Sequence, residues 1–195
     1  MSYEMKPLAC DPARLSGLSE KLIVSHYENN YGGAVKRLNA IAAELSALDV
    51  AAAPVFVLNG LKREELIATN SMILHEVYFD SLGDGSLGGE LEAALVRDFG
   101  SVARWQAEST AMGKALGGGS GWVLLTYSPR DGRLVNQWAS DHAHTLAGAT
   151  PILALDMYEH SYHMDYGAKA AAYVDAFMQN IHWARVADRF EGVSK

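Results

Sequence analysis

A polar stretch follows directly on an apolar run in the last quarter of the chain. The apolar run is PILAL, residues 151–155, and the polar stretch is DMYEHSYHMDY, residues 156–166. Asp156 and His160 are close enough in sequence to converge on one point just past the end of a strand. His26 and His75, which lie in two apolar helical runs, could complete a shell of three imidazoles and one carboxylate. Such a set suits iron, manganese or zinc.

Taken one at a time, these histidines indicate much less. A histidine inside an apolar helical run, such as SMILHEVYF around His75, is more typical of a hydrogen-bonded core residue than of a metal ligand. The metal-site hypothesis therefore depends on a fold that brings all four side chains together.

Composition narrows the class of protein. The chain has 195 residues, 49% of them hydrophobic and 20% charged, which predicts one large domain or two small ones that share a core. Its formal charge of −7 argues against a nucleic-acid partner, whose phosphates need a basic face. The single cysteine, Cys10, excludes an internal disulfide and fits a reducing compartment.

The N-terminus shows no basic segment followed by an apolar run, so no secretory signal is visible. No stretch of 18 apolar residues is present, so we expect no membrane partner. We expect a cytoplasmic protein.

Helical patterns dominate the first half of the chain. Residues 11–48 have helical apolar spacing, with Ser16 or Ser19 as a capping residue and an interruption expected at the Gly32–Gly33 pair. A second helix is predicted from about Lys62, after the turn-like LNGL, to residue 82. The glycine-rich GDGSLGG, residues 83–89, is the best candidate for a linker.

The second half mixes helices and strands. Residues 89–116 predict two helices that break at Gly100–Ser101, and residues 170–190 predict a closing helix. GWVLLTY and RLVNQWA predict two strands joined by a hairpin turn with Asp131–Gly132, and TPILALD predicts a third strand. The expected fold is α+β: an N-terminal antiparallel helical hairpin domain (1–84), then an α/β C-terminal domain (85–195) with a three-stranded antiparallel sheet. The metal site would lie between them.

Several of these stretches resemble the iron/manganese superoxide dismutase family. DMYEHSYHMDY is similar to the family pattern DVWEHAYYLDY, GSGWVLL (119–125) matches its tryptophan-bearing strand, and SHYENNYGGAVKRLN is similar to its first-helix segment. The resemblance implies one iron ion per chain, or alternatively manganese, that converts superoxide to dioxygen and hydrogen peroxide. It also implies the metal ligands His26, His75, Asp156 and His160.

The surroundings of the implied metal depart from the family pattern. A glutamine there commonly contacts the solvent on the metal. Here its helical location holds Ser71, which is too short, while its loop location holds His142, with His144 as the alternative. Tyr158 stands where tryptophan is usual, and Trp122, Tyr78 and Phe79 are expected to pack around the metal, although plain core packing would explain each of them.

Two further departures affect the substrate channel. Family members usually have a histidine and a tyrosine four and eight residues after the first ligand, and this chain has Asn30 and Ala34. Tyr27 and Tyr31 are not expected on that helical face. In the family, the histidine and tyrosine at these two positions form the mouth, or gate, of the substrate channel. Loss of the gate tyrosine should open the site and weaken proton delivery.

The resemblance also implies an assembly. Glu159 would reach a ligand histidine of a second chain, and His163 replaces the tyrosine that bridges to the first-helix ligand. We therefore expect a homodimer, with a tetramer as a further possibility. Lys36 or Lys169 could steer superoxide toward a chain that is negative overall.

Two hypotheses follow. The first is a superoxide dismutase with iron or manganese. The second is a metal-binding relative with weak or lost activity, suggested by the replaced gate residues. A third, another non-haem iron oxidoreductase, would need a pocket large enough for an organic substrate.

Overall fold

The computed structural model describes residues 2–194, and their N-terminal half is helical. Helix α1 (Glu20–Ser25) leads into a π-helical segment (His26–Tyr31), which continues as α2 (Gly32–Ala47). Ser19 caps α1 by accepting a hydrogen bond from the backbone N–H of Leu22, at 3.1 Å. The change of helix type falls immediately before the glycine pair at 32 and 33, where the sequence predicts an interruption.

Helix α3 (Val55–Asp80) begins earlier than predicted. The predicted start near Lys62 is wrong, because LNGL lies inside the helix rather than in a turn. Pro54 precedes the first helical residue, where its missing N–H costs no helical hydrogen bond. A glycine such as Gly60 costs a helix only about 1 kcal/mol, which a helix packed along its length against α2 can absorb.

The second half contains the predicted small sheet and further helices. Helices α4 (Gly89–Phe99) and α5 (Val102–Ala115) precede β1 (Trp122–Ser128), β2 (Arg133–Ala139) and β3 (Thr150–Asp156). The strands are antiparallel in the order β2–β1–β3, which confirms the predicted fold class. The chain ends with α6 (His163–Tyr166), α7 (Ala170–Gln179) and α8 (Trp183–Val193).

The closing helix is divided in two, contrary to the sequence prediction. Asn180 is buried between α7 and α8, where its side-chain amide donates to Ser16 O at 2.6 Å and accepts from Ser16 N at 2.8 Å. Ile181 forms an isolated antiparallel bridge with Leu82. These long-range contacts outweigh the local helical pattern.

The sheet register determines the surroundings of Asp156. In the β1–β3 pair, Trp122 lies opposite Asp156, and α3 packs against β3. The predicted boundary between an N-terminal domain (1–84) and a C-terminal domain (85–195) stays a prediction. Within residues 2–194, no helix is long and apolar enough to cross a membrane.

Candidate metal centre

Four side chains from separate parts of the fold meet at one point. His26 begins the π-helical segment, His75 lies on α3, Asp156 is the last residue of β3, and His160 lies in a short 3₁₀ turn, Glu159–Ser161. One ligand atom from each lies within 4.8 Å of the other three. We call these four residues the His3Asp cluster.

The geometry within the His3Asp cluster centres on one carboxylate oxygen. Asp156 Oδ2 lies 3.2 Å from His26 Nε2, 3.6 Å from His75 Nε2 and 3.2 Å from His160 Nε2. His26, His75 and Asp156 are buried, and His160 is partly exposed. The separation in sequence between Asp156 and His160 places both at the strand end, as the spacing predicts.

Unpaired ring nitrogens show that this cluster fits a metal ion. Three of them are buried and make no hydrogen bond with residues 2–194: both nitrogens of His26 and Nε2 of His75. A buried polar atom without a partner is costly, and ligation of a cation would satisfy the two Nε2 atoms, which lie 3.2 and 3.6 Å from Asp156 Oδ2. The residues present therefore suit the metal that the resemblance implies.

The charge states of the cluster also suit a cation. Burial lowers the pKa of His75 to about 3, with the charge of His26 as a further cause, and burial also lowers the pKa of His26. Burial alone would raise the pKa of Asp156, but His160 and His26 hold it well below its usual value. Neutral imidazoles with one anionic carboxylate are what a borderline divalent or trivalent metal binds.

The backbone of α3 selects the tautomer of His75. Its Nδ1 lies 2.6 Å from the carbonyl oxygen of Ser71, one helical turn earlier. Because a carbonyl can only accept, Nδ1 carries the proton and Nε2 keeps its lone pair for the centre. Ser71 thus contributes through its backbone, whereas its side chain is too short to reach further.

Aromatic rings enclose the cluster. The ring of His26 lies 5.0 Å from that of Tyr78 and 4.9 Å from that of Phe79, and the ring of His75 lies 5.3 Å from that of Trp122. Tyr78 and Trp122 are fully buried. Tyr158 stacks on His160 at 5.4 Å. This wall keeps water from most sides of the centre.

The structure distinguishes the two loop histidines. Trp122 Nε1 donates to His142 Nδ1 at 3.0 Å, so the proton of the neutral His142 ring is on Nε2. The His142 ring stacks on Tyr158 at 4.7 Å and lies 6.1 Å from the His75 ring. His144 instead contacts Ser140 and Asp141 on the surface. Only His142 therefore lies beside the cluster.

Asn30 and Ala34 line a cavity that reaches His142. The cavity has a volume of about 270 Å³, and we call it the vestibule; its walls include Asn30, Ala34, Arg37, Ser71 and His142. Asn30 makes no side-chain hydrogen bond with residues 2–194, and Ala34 offers only a methyl group. The vestibule is therefore open where the resemblance leads us to expect a phenol.

The tyrosines of the π-helical segment do not fill this space. Tyr27 donates from its hydroxyl to Lys6 O at 2.7 Å, and the hydroxyl of Tyr31 accepts from Lys6 N at 2.8 Å. The wider turn of a π-helix does bring the Tyr31 ring close to His75, with 6.4 Å between ring centres. Its hydroxyl nevertheless faces Glu76 on the other side.

The residues expected at a dimer interface lie on the surface of the single chain. Glu159 and His163 are both exposed, next to the exposed apolar side chain of Met164. Each is free to contact a second chain.

Sequence reasoning missed Arg37, which lines the vestibule. The spacing could have found it, because Asn30, Ala34 and Arg37 are four and three residues apart and such residues share a helical face.

The fold and the site define a class of protein, and comparisons with known proteins agree. Residues 87–189 match the family described as iron/manganese superoxide dismutases, C-terminal domain. The chain belongs to the iron/manganese superoxide dismutase family.

Individual relatives extend the likeness over nearly the whole chain. A protein named superoxide dismutase [Fe] from Cupriavidus metallidurans is 86% identical over 97% of this chain and 97% of its own length. A superoxide dismutase [Fe] from Aquifex aeolicus is 34% identical over 94% of this chain and 89% of its own length. Superoxide dismutase [Mn] 2 from Haloferax volcanii is 33% identical over 98% of this chain and 96% of its own length.

Proposed function

We propose that this chain converts superoxide to dioxygen and hydrogen peroxide with one bound iron ion, held by the His3Asp cluster. The observation that carries the proposal is the convergence of four ligand atoms within 4.8 Å of one another, with the Nε2 atoms of His26 and His75 buried and unpaired. When bound, iron supplies the one-electron couple by which one superoxide is oxidised to dioxygen and a second, with two protons, is reduced to hydrogen peroxide.

Iron is favoured over manganese by the relatives. The 86% identical protein is named for iron, whereas relatives named for manganese, such as that of Haloferax volcanii, are 31–39% identical. The ligand set itself suits either metal.

Residues of the chain itself orient the ligand His75 and supply protons for the reaction. The carbonyl of Ser71 holds His75 with its Nε2 toward the centre. Trp122 holds His142 with its proton on Nε2, so His142 can donate at the inner end of the vestibule. Hydrogen peroxide needs two protons, and a donor held at a fixed position shortens their path. We propose His142 in that role in place of the amide of other family members.

The alternative of a relative with weak or lost activity rests on Asn30 and Ala34. Those residues do leave an open vestibule, but the 86% identity to a protein named superoxide dismutase [Fe] favours the active enzyme. The vestibule of about 270 Å³ is also smaller than the 300–1,000 Å³ typical of organic-ligand pockets, which disfavours an organic substrate.

We further propose a cytoplasmic homodimer without a nucleic-acid partner. Exposed Glu159 and His163 beside exposed Met164 support the dimer, and the charge of −7 argues against nucleic acid. The single cysteine supports a reducing compartment. Sedimentation of Glu159→Ala beside the exposed-residue control Asp175→Ala tests the dimer, since only the former should dissociate.

Metal analysis and a superoxide assay on the same sample test the activity. Protein purified from its native host should contain close to one iron per chain, lose activity on chelation and regain it with iron but not with zinc. Asp156→Asn should abolish iron retention, whereas His144→Gln, which changes an exposed histidine, should not. Iron-loaded protein without superoxide-dependent turnover from pH 6 to 9 would refute the proposal.

A further inference from the structure

The vestibule contains one charged group without a role in the chemistry described so far. Among the described residues that line it, Arg37 is the only one with a formal charge. The chain as a whole carries −7, which repels an anion such as superoxide. A cation at the entrance would reverse that repulsion locally.

The contacts of Arg37 leave part of its guanidinium available. Glu64 contacts Arg37 through Nη2 alone, so Nε and Nη1 have no hydrogen-bond partner within residues 2–194. Glu64 also pairs with Arg63, at 3.0 Å. Two guanidinium groups thus share one carboxylate, and this group of three side chains keeps a net charge of +1.

The position of Arg37 links it to the inner end of the vestibule. Arg37 and His142 line the same cavity, and the opening at Ala34, three residues before Arg37, leaves the space between them free. Burial is the main cause of the lowered pKa of His142, and the charge of Arg37 acts in the same direction. The carboxylates of Asp156 and Asp141 act in the opposite direction on His142, and Asp141 is exposed and paired with His144.

We propose that Arg37 is a positioning residue that draws superoxide into the vestibule and holds the anion beside His142. The inference rests on the proposed function. A planar guanidinium with free N–H groups suits a small oxyanion, so formate should occupy the same place. Lys36, which the sequence suggested for steering, is exposed and does not line the vestibule.

Matched charge variants test the steering role. Arg37→Gln and Lys36→Gln change the net charge equally, but only the former changes the vestibule. At low ionic strength Arg37→Gln should lower kcat/KM about threefold and flatten its dependence on salt, and the difference from the wild type should vanish at about 0.5 M salt. Equal losses in both variants, or no loss in Arg37→Gln, would overturn the proposal.

A second measurement does not depend on turnover. Modification of arginines in the iron-loaded protein by phenylglyoxal can be followed for each residue by peptide mass spectrometry. Formate should slow modification of Arg37 saturably and leave Arg63 unaffected, although both pair with Glu64. Equal effects on the two arginines would overturn the anion site. Protection of Arg37 in a protein without dismutase activity would instead sustain the anion site and refute the proposed function.

Discussion

Acid should destabilise the folded state of the metal-free protein through the His3Asp cluster. Burial lowers the pKa of His75 from 6.5 to about 3, so the folded protein keeps this ring neutral where the unfolded chain protonates it. The unfolded state therefore binds more protons below pH 6.5, and stability falls as the pH falls from 6.5 toward 3. The lowered pKa values of His26 and His142 act in the same direction.

The magnitude follows from the size of the shift. Each pH unit below 6.5 costs about 1.4 kcal/mol per proton, so at pH 4.5, two units below, His75 alone accounts for about 2.7 kcal/mol. Asp156 contributes little in this window, because its loss of stability begins only near the ordinary carboxyl pKa of 3.8 and below. Between pH 4.5 and 6.5, the contribution of the cluster to the pH dependence of stability therefore comes from its imidazoles rather than from Asp156.

Urea unfolding of the metal-free protein at pH 7.5, 6.5, 5.5 and 4.5 measures this effect. The wild type should lose about 3 kcal/mol or more between pH 7.5 and 4.5, and His75→Gln should lose about 2.7 kcal/mol less. His144→Gln removes an exposed ring and should keep the wild-type slope. A wild-type free energy of unfolding that stays constant within about 0.5 kcal/mol over that interval would contradict the reasoning.

Three further predictions concern packing, tautomer and alkaline stability. Gly113→Ala places a β-carbon 2.8 Å from a neighbouring side-chain carbon and should cost about 1–3 kcal/mol in thermal or urea unfolding, whereas Gly60→Ala, in open space on α3, should be neutral or stabilising. Trp122→Phe removes the donor that holds the His142 tautomer; it should lower kcat without changing iron content, and an unchanged kcat would refute the role of that hydrogen bond. Burial raises the pKa of Tyr31 to about 12, so stability should fall from pH 10 to 12, and Tyr31→Phe should unfold with a smaller loss over that range.

Short-range features of the site could be predicted from the sequence because local geometry determines them. Asp156 and His160 lie at a strand end four positions apart, and the strand, its apolar pattern and the following turn are all local. The three strands and a capping serine at Ser16 or Ser19 are predicted for the same reason, and Ser19 is the cap. His26 and His75 could be named as partners, but their helical runs alone are more typical of core residues than of metal ligands.

Only the tertiary structure decided the features that depend on contacts between distant segments. The closing helix breaks at Asn180 because its amide pairs with Ser16, 164 positions earlier. His142 rather than His144 lies beside the cluster because Trp122, twenty positions away on β1, donates to it.

The same distinction applies to the chemistry. By itself the sequence determined the ligand types and the overall negative charge, since these are properties of residues, and its resemblance to the family implied the loss of a phenol at Ala34. The structure decided that the unpaired Nε2 atoms of His26 and His75 meet one carboxylate, and that Arg37 rather than Lys36 lines the vestibule. The physical reason is that burial, tautomer and the direction of a charge arise from packing, and packing joins residues that the chain keeps far apart.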